Sequence, residues 1–174
     1  MNKFKEKLTA VRQGDPSTPG AGMGPLSSTQ AADYLESQVK RAIDEGAELL
    51  TGGEREGNYY APTLLADIAP NNSARYEEFF GPVAQVYRAK DEAEAIRLAN
   101  DTPYGLGSYV VSPNPEQALR VADKIDAGMV FINGINAAGA EMPFGGVKRS
   151  GYGRELGRYG LDEFVNKKLI RIVG

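Results

Sequence analysis

The sequence contains no cysteine and no histidine. Without cysteine there is no disulfide, no thiolate nucleophile and no thiolate metal site. Without histidine, Ser-His-Asp triads, Cys-His pairs and nearly every zinc or non-haem iron site are excluded. Chemistry on this chain must use carboxylates, Lys, Tyr, Ser or a bound cofactor. Net charge is small as well: 20 Lys and Arg against 23 Asp and Glu leave −3, spread along the chain. No basic stripe points to nucleic acid, and no basic amphipathic helix points to a membrane surface. The longest apolar runs, such as Met129-Val130-Phe131-Ile132, are too short to span a bilayer. The opening residues, Met1-Asn2-Lys3-Phe4-Lys5-Glu6, are charged and lack the apolar core of a signal peptide. A cytosolic location is the expectation.

What is present reads as an ordinary soluble α/β domain, or a large piece of one, of 174 residues. Apolar spacing predicts a helix over 2–12 with Phe4, Leu8 and Val11 on one face. A Gly-, Pro- and Ser-rich loop covers 13–27. A second helix is predicted from Thr29 to Glu45, its apolar face Tyr34, Leu35, Val39, Ala42 and Ile43, with Gly46 as C-terminal cap. Tyr59 to Ile68 has strand-like content, and Pro62 within it implies an edge or a bend. Val83–Tyr87, Gly107–Val111 and Gly128–Asn133 read as strands. Between them lie a helix capped by Asp91, with Ile96 and Ala99 inward, and one capped by Asn114, with Leu119, Ala122 and Ile125 inward. That alternation predicts a mostly parallel sheet with flanking helices and right-handed crossovers. Residues 133–153 read as one long Gly-rich loop, and Leu169–Val173 as a terminal strand. No composition shift marks a domain boundary.

Three stretches invite functional readings. Gly20-Ala21-Gly22-Met23-Gly24 follows a helix and a Pro-rich turn rather than a strand, so it reads as a connector and not a dinucleotide loop. Gly145-Gly146-Val147-Lys148-Arg149-Ser150 lacks the spacing of a phosphate loop. Its glycine density instead allows close backbone approach, in a structural or a site-lining loop. Glu77-Glu78-Phe79-Phe80-Gly81-Pro82-Val83 sets acids against two aromatics and a Gly-Pro turn. Adjacent acids are usually a solvated pair. A carboxylate there could also accept hydrogen bonds from a sugar hydroxyl while an aromatic packs on a flat ring.

Glu78-Phe79-Phe80-Gly81-Pro82-Val83 resembles a signature of the aldehyde dehydrogenase family. So does Pro143-Phe144-Gly145-Gly146-Val147-Lys148, continued by Ser150-Gly151, Gly153-Arg154-Glu155 and Gly157. Ala99-Asn100-Asp101-Thr102-Pro103-Tyr104-Gly105-Leu106 matches another family stretch, and Gly14-Asp15-Pro16, Gly24-Pro25-Leu26 and Pro62-Thr63 fall in the expected order. The resemblance covers essentially the whole chain. It implies an oxidoreductase that uses NAD or NADP: a Cys thiolate attacks the aldehyde, hydride passes to the nicotinamide, and water hydrolyses the thioester. By the same resemblance, the attacking Cys, the general-base Glu, the oxyanion-hole Asn and the coenzyme domain lie upstream of Met1. Residues 1–160 then belong to the C-terminal part of the catalytic domain, and 161–174 form a terminal strand at a subunit contact.

Carried over residue by residue, Glu78 is the acid that hydrogen-bonds the nicotinamide ribose. Phe80 packs near the nicotinamide, and Phe144 lies on the wall of the substrate tunnel. Lys148, Arg154 and Glu155 carry over as structural loop residues. Asn133-Gly134-Ile135-Asn136-Ala137-Ala138-Gly139 falls where family members vary their substrate loop. Small and polar, and with the ending that follows it, it is most similar to the succinate-semialdehyde branch. The implied partners are a small-molecule aldehyde and either further copies of the chain or an N-terminal aldehyde dehydrogenase part. A split-enzyme subunit and a non-catalytic interaction protein remain as alternatives. With no thiolate, the chain by itself is predicted to oxidise no aldehyde. Incubation of purified chain with NAD or NADP and an aldehyde panel should give no rise in reduced-nicotinamide absorbance; robust turnover free of contaminants would refute the expectation.

Overall fold

The computed structural model describes residues 1–135 and 139–174, and the chain falls into two compact units, Met1–Arg88 and Ala89–Gly174. The division comes between a strand and a helix that are both strongly patterned, which is why composition gives no sign of it.

The first unit contains α1 (Asn2–Thr9), α2 (Thr29–Asp44), β1 (Glu48–Thr51), β2 (Arg55–Glu56), β3 (Tyr59–Tyr60), β4 (Thr63–Ala66), a 3₁₀ turn (Ser73–Tyr76) and β5 (Val83–Val86). Ser28 starts α2: its backbone is extended and its side-chain oxygen accepts the amide of Ala31. Gly46 ends it with φ 98°, a conformation that side chains disfavour. The sheet order is β1-β4-β5, with β1 antiparallel and β5 parallel to β4. All four residues of β4 are buried, as for a strand covered on both faces. Leu35, Val39 and Ala42 of α2 join Ala47, Tyr60, Leu65, Ile68 and Ala74 in one core. Each large apolar side chain buried this way stabilises by about 1.5–3 kcal/mol.

Of the two readings of Pro62 the bend holds: β4 is central, and Pro62 lies between β3 and β4. Two expectations change here. Tyr34 points outward, because the buried stripe of α2 runs through Ala32, Leu35, Gln38, Val39 and Ala42, about a quarter of a turn away. β5 takes its place beside β4 instead of extending a sheet with the strands that follow.

The second unit holds α3 (Glu92–Asn100), β6 (Tyr104–Gly105), β7 (Gly107–Val110), α4 (Pro115–Ala122), β8 (Met129–Ile132), β9 (Val147–Lys148) and α5 (Gly157–Asp162). β7 and β8 are parallel and joined through α4, and Tyr109 packs on Phe131 with ring centroids 5.5 Å apart. Asp91 and Asn114 cap α3 and α4 as their spacing predicts. The inward faces differ from expectation: Ala99 and Leu119 are exposed, whereas Ala118 is fully buried. Residues 133–153 are not one loop, since β9 forms an antiparallel pair with β6. Among the described residues Leu169–Val173 has no strand partner, so the predicted terminal strand is not formed here. A strand exists only against an edge that supplies its hydrogen bonds. Among the described residues, no helix is long and apolar enough to cross a membrane.

α3 and α4 are joined by Glu92, which accepts from Arg120 Nε at 2.9 Å and Nη2 at 2.8 Å and from Gln117 Nε2 at 3.1 Å. The Arg120 hydrogen bond, followed by that of Gln117, pulls the Glu92 carboxyl down to about 2. A depressed carboxyl stabilises the fold above its unfolded value near 4.5 and loses that contribution as pH falls toward about 2. The Glu92 side-chain titration followed by NMR should therefore have its midpoint near 2 and move up toward 4.5 in Arg120→Met. A midpoint that is the same in both proteins would show that the pair does not act as described.

Candidate functional site

In the segment that leads into β5 burial alternates from Glu77 to Phe80, and Glu77 itself has extended backbone angles, φ −102° and ψ 146°. Glu77 faces inward, where Arg41 Nη2 donates to its two carboxylate oxygens at 2.8 and 2.6 Å. Phe79 also faces inward and packs on the core cluster. Glu78 and Phe80 face outward together, and Phe80 is 80% exposed. No described residue hydrogen-bonds or pairs with the Glu78 carboxylate; only its main-chain carbonyl is held, by Gln38 Nε2 at 3.1 Å. The result is an anionic acceptor and an aromatic ring side by side on one exposed face. Such a pair can accept hydrogen bonds from a diol and flank a planar ring.

Gly81 follows because α2 lies so close: a Cβ there would collide with the side chain of Leu35. Arg41 is steadied in turn by its Nε, which donates to Ser73 at 3.1 Å, and Asn72 caps the 3₁₀ turn while donating to the Ala42 carbonyl at 2.8 Å. Sequence reasoning missed Gln38, Arg41 and Ser73. A signal was available for Gln38, an amide in the middle of the apolar stripe of α2.

In the second unit, Phe144 is part-exposed and pairs through its backbone with Glu155, Phe144 N donating at 2.8 Å and Glu155 N returning a bond at 2.6 Å. Its ring borders an open cavity of about 310 Å³ with Leu106, Tyr152, Arg154 and Phe164. The glycine-dense stretch is bound to the Asn100–Leu106 stretch. Lys148 Nζ donates to the carbonyls of Asn100 and Thr102 at 2.9 and 3.2 Å, and Ser150 Oγ accepts the Gly105 amide at 3.0 Å. The Lys148 ammonium thus sits at the C-terminal end of α3, where the helix dipole favours a cation. Arg154 donates to the carbonyls of Gly146 and Gly153 at 2.8 and 2.6 Å. Both cations brace backbone, in line with a structural role. Of the predicted substrate loop, Asn136, Ala137 and Ala138 lie outside the described residues. Among the described residues no cluster of acids could hold a metal ion.

A model of the aldehyde dehydrogenase family matches residues 1–170. The chain belongs to that family. It is 49% identical over 174 residues to a succinate-semialdehyde dehydrogenase [NADP(+)] of Deinococcus radiodurans, covering 98% of this chain and 36% of that protein. Among solved structures, succinic semialdehyde dehydrogenase from Streptococcus pyogenes in complex with NADP+ superposes with a TM-score of 0.92 at 46% identity, over 99% of this chain and 40% of that one. Betaine aldehyde dehydrogenase from Staphylococcus aureus in complex with NAD+ gives a TM-score of 0.89 at 37% identity, over 94% of this chain and 34% of that one. The chain thus spans well under half the length of the relatives it matches, and its fold is a partial α/β domain of the family.

The bracing role of Lys148 has a measurable consequence. Lys148→Met keeps the stem and removes the donor to two carbonyls, and should lower stability by about 1–2 kcal/mol. Urea unfolding monitored by circular dichroism measures it; an unchanged midpoint would show that these contacts carry no net stabilisation.

Proposed function

We propose that this chain forms the C-terminal part of the catalytic domain of an enzyme that oxidises succinate semialdehyde with NADP. The observation that carries the reading is the shared exposed face of Glu78 and Phe80, in a segment whose other polar groups are engaged. An ionised carboxylate only accepts hydrogen bonds, and a ribose diol donates them, so the free Glu78 suits the nicotinamide ribose. Phe80 offers a rigid flat side chain for the nicotinamide. The dinucleotide, when bound, supplies the hydride acceptor; the chain's own residues fix where its ring sits. Phe144 forms part of the wall against which the aldehyde lies. The nucleophile and the remaining coenzyme contacts come from residues outside this sequence. The D. radiodurans and S. pyogenes relatives support both the substrate and the choice of NADP. On this reading the chain works in the cytosol. It also works in an assembly, in which 169–173 pairs across a subunit contact with another copy or with an N-terminal part.

A chimaera in which this chain replaces the matching segment of the D. radiodurans relative tests the reading. It should reduce NADP with succinate semialdehyde. In it, Glu78→Gln should lower kcat/KM for NADP about tenfold, or about 1.4 kcal/mol of transition-state stabilisation. Phe144→Ala should change selectivity among aldehydes and leave the KM for NADP within about twofold. An inactive chimaera, or two variants with interchangeable effects, would count against the assignment.

A further inference from the structure

Gln38 is 2% exposed in the middle of α2, yet its side chain is polar and only half satisfied. Its Nε2 donates to Glu77 Oε2 at 3.1 Å and to the Glu78 carbonyl at 3.1 Å. Its Oε1 has no donor among the described residues. Both groups facing the amide nitrogen are acceptors, so turning the amide over would set oxygen against oxygen; the neighbours fix its orientation. A buried acceptor left without a donor costs stability, and an apolar residue of the same shape at that point of the stripe would avoid it. Such a conflict between local chemistry and packing is the mark of a residue retained for what it places.

What Gln38 places is the turn of main chain that carries Glu78. Arg41 anchors the Glu77 side chain and Gln38 bridges that carboxylate to the Glu78 carbonyl, so two residues one turn apart on α2 grip both ends of the Glu77–Glu78 unit. With Glu77 held inward and the Glu78 carbonyl turned toward the helix, extended geometry sends the Glu78 carboxylate outward beside Phe80. We infer that Gln38 is a positioning residue for coenzyme binding, acting through Glu78. The inference rests on the assignment of Glu78 to the nicotinamide ribose.

The test is a double-mutant cycle in the chimaera, with Gln38→Met, Glu78→Gln and the two combined. Gln38→Met keeps the volume and removes the donor. It should weaken NADP binding by calorimetry about fivefold and raise the KM for NADP while leaving that for succinate semialdehyde unchanged. Its thermal midpoint should stay level or rise, because the orphaned acceptor is gone. The combined variant should bind NADP no more weakly than Glu78→Gln alone, since a residue that acts through another adds nothing once the other is removed. A lowered thermal midpoint with unchanged NADP binding would overturn the proposal and leave Gln38 a packing residue. Additive losses in the combined variant would overturn it as well. Glu78→Gln without effect on NADP binding would refute the coenzyme reading itself, and the positioning role with it. If Gln38→Met does not fold, Gln38→Asn carries the same comparison, since it keeps the amide and withdraws it by one methylene.

Discussion

The first unit depends on how closely α2 lies against the chain entering β5. Leu35 meets Gly81 so tightly that no Cβ fits between them, and one turn further along Gln38 and Arg41 seize Glu77 and the Glu78 carbonyl. The close approach sets the register of the alternation: once Glu77 and Phe79 are drawn in, Glu78 and Phe80 have no choice but to face out. A slip of one residue would withdraw Glu77 from Arg41 and Phe79 from the core cluster. The outward placement of Glu78 and Phe80 is therefore a by-product of helix packing.

The second unit solves a related problem with glycine. A Cβ on Gly128 would collide with the carbonyl of Gly145, and one on Gly146 would crowd Ser150 and the Gly105 carbonyl. The glycine-dense stretch is thus tied by backbone contact to the start of β8 and to the Asn100–Leu106 stretch. Lys148 and Arg154 supply the donors that the close-set carbonyls require. Reading that glycine density as a phosphate cradle would have mistaken backbone-to-backbone packing for anion binding. The lysine that seems to belong to such a cradle is spent on the end of α3.

Local chemistry was legible in the sequence wherever one residue decides the outcome. Ser28, Asp91 and Asn114 cap helices within a residue of their predicted starts, and Gly46 stops α2. What escaped was pairing. β1, β6 and β9 are two to four residues long and owe their existence to partners distant in sequence, so no window of periodicity contains them. β5 reads as the first strand of a βαβ series, yet its hydrogen bonds go back to β4. Amphipathic faces were displaced where a small side chain took the buried position: Ala118 in place of Leu119, and Ala32 in place of Tyr34. Closeness of approach selects the small residue, and hydrophobicity alone cannot forecast that. The functional segments were legible for a different reason. Several of their residue types are constrained, by collision at Gly81, Gly145 and Gly146 and by hydrogen bonding at Lys148 and Arg154.

The C-terminal residues follow the same logic of pairing. Leu169, Ile170, Ile172 and Val173 are each at least 78% exposed, and the backbone from 166 onward belongs to no ladder. Four apolar side chains in five residues, two of them isoleucine and one valine, are the composition of a strand covered on both faces, not of a solvated tail. Sequence can specify a readiness to form a strand, but only an edge can complete it, and among the described residues this segment is paired with none. The hydrophobic content at 169–173 fits the subunit contact proposed for this segment. Gln38 and this segment thus illustrate opposite imbalances: a polar group set into an interior, and an apolar run left in water.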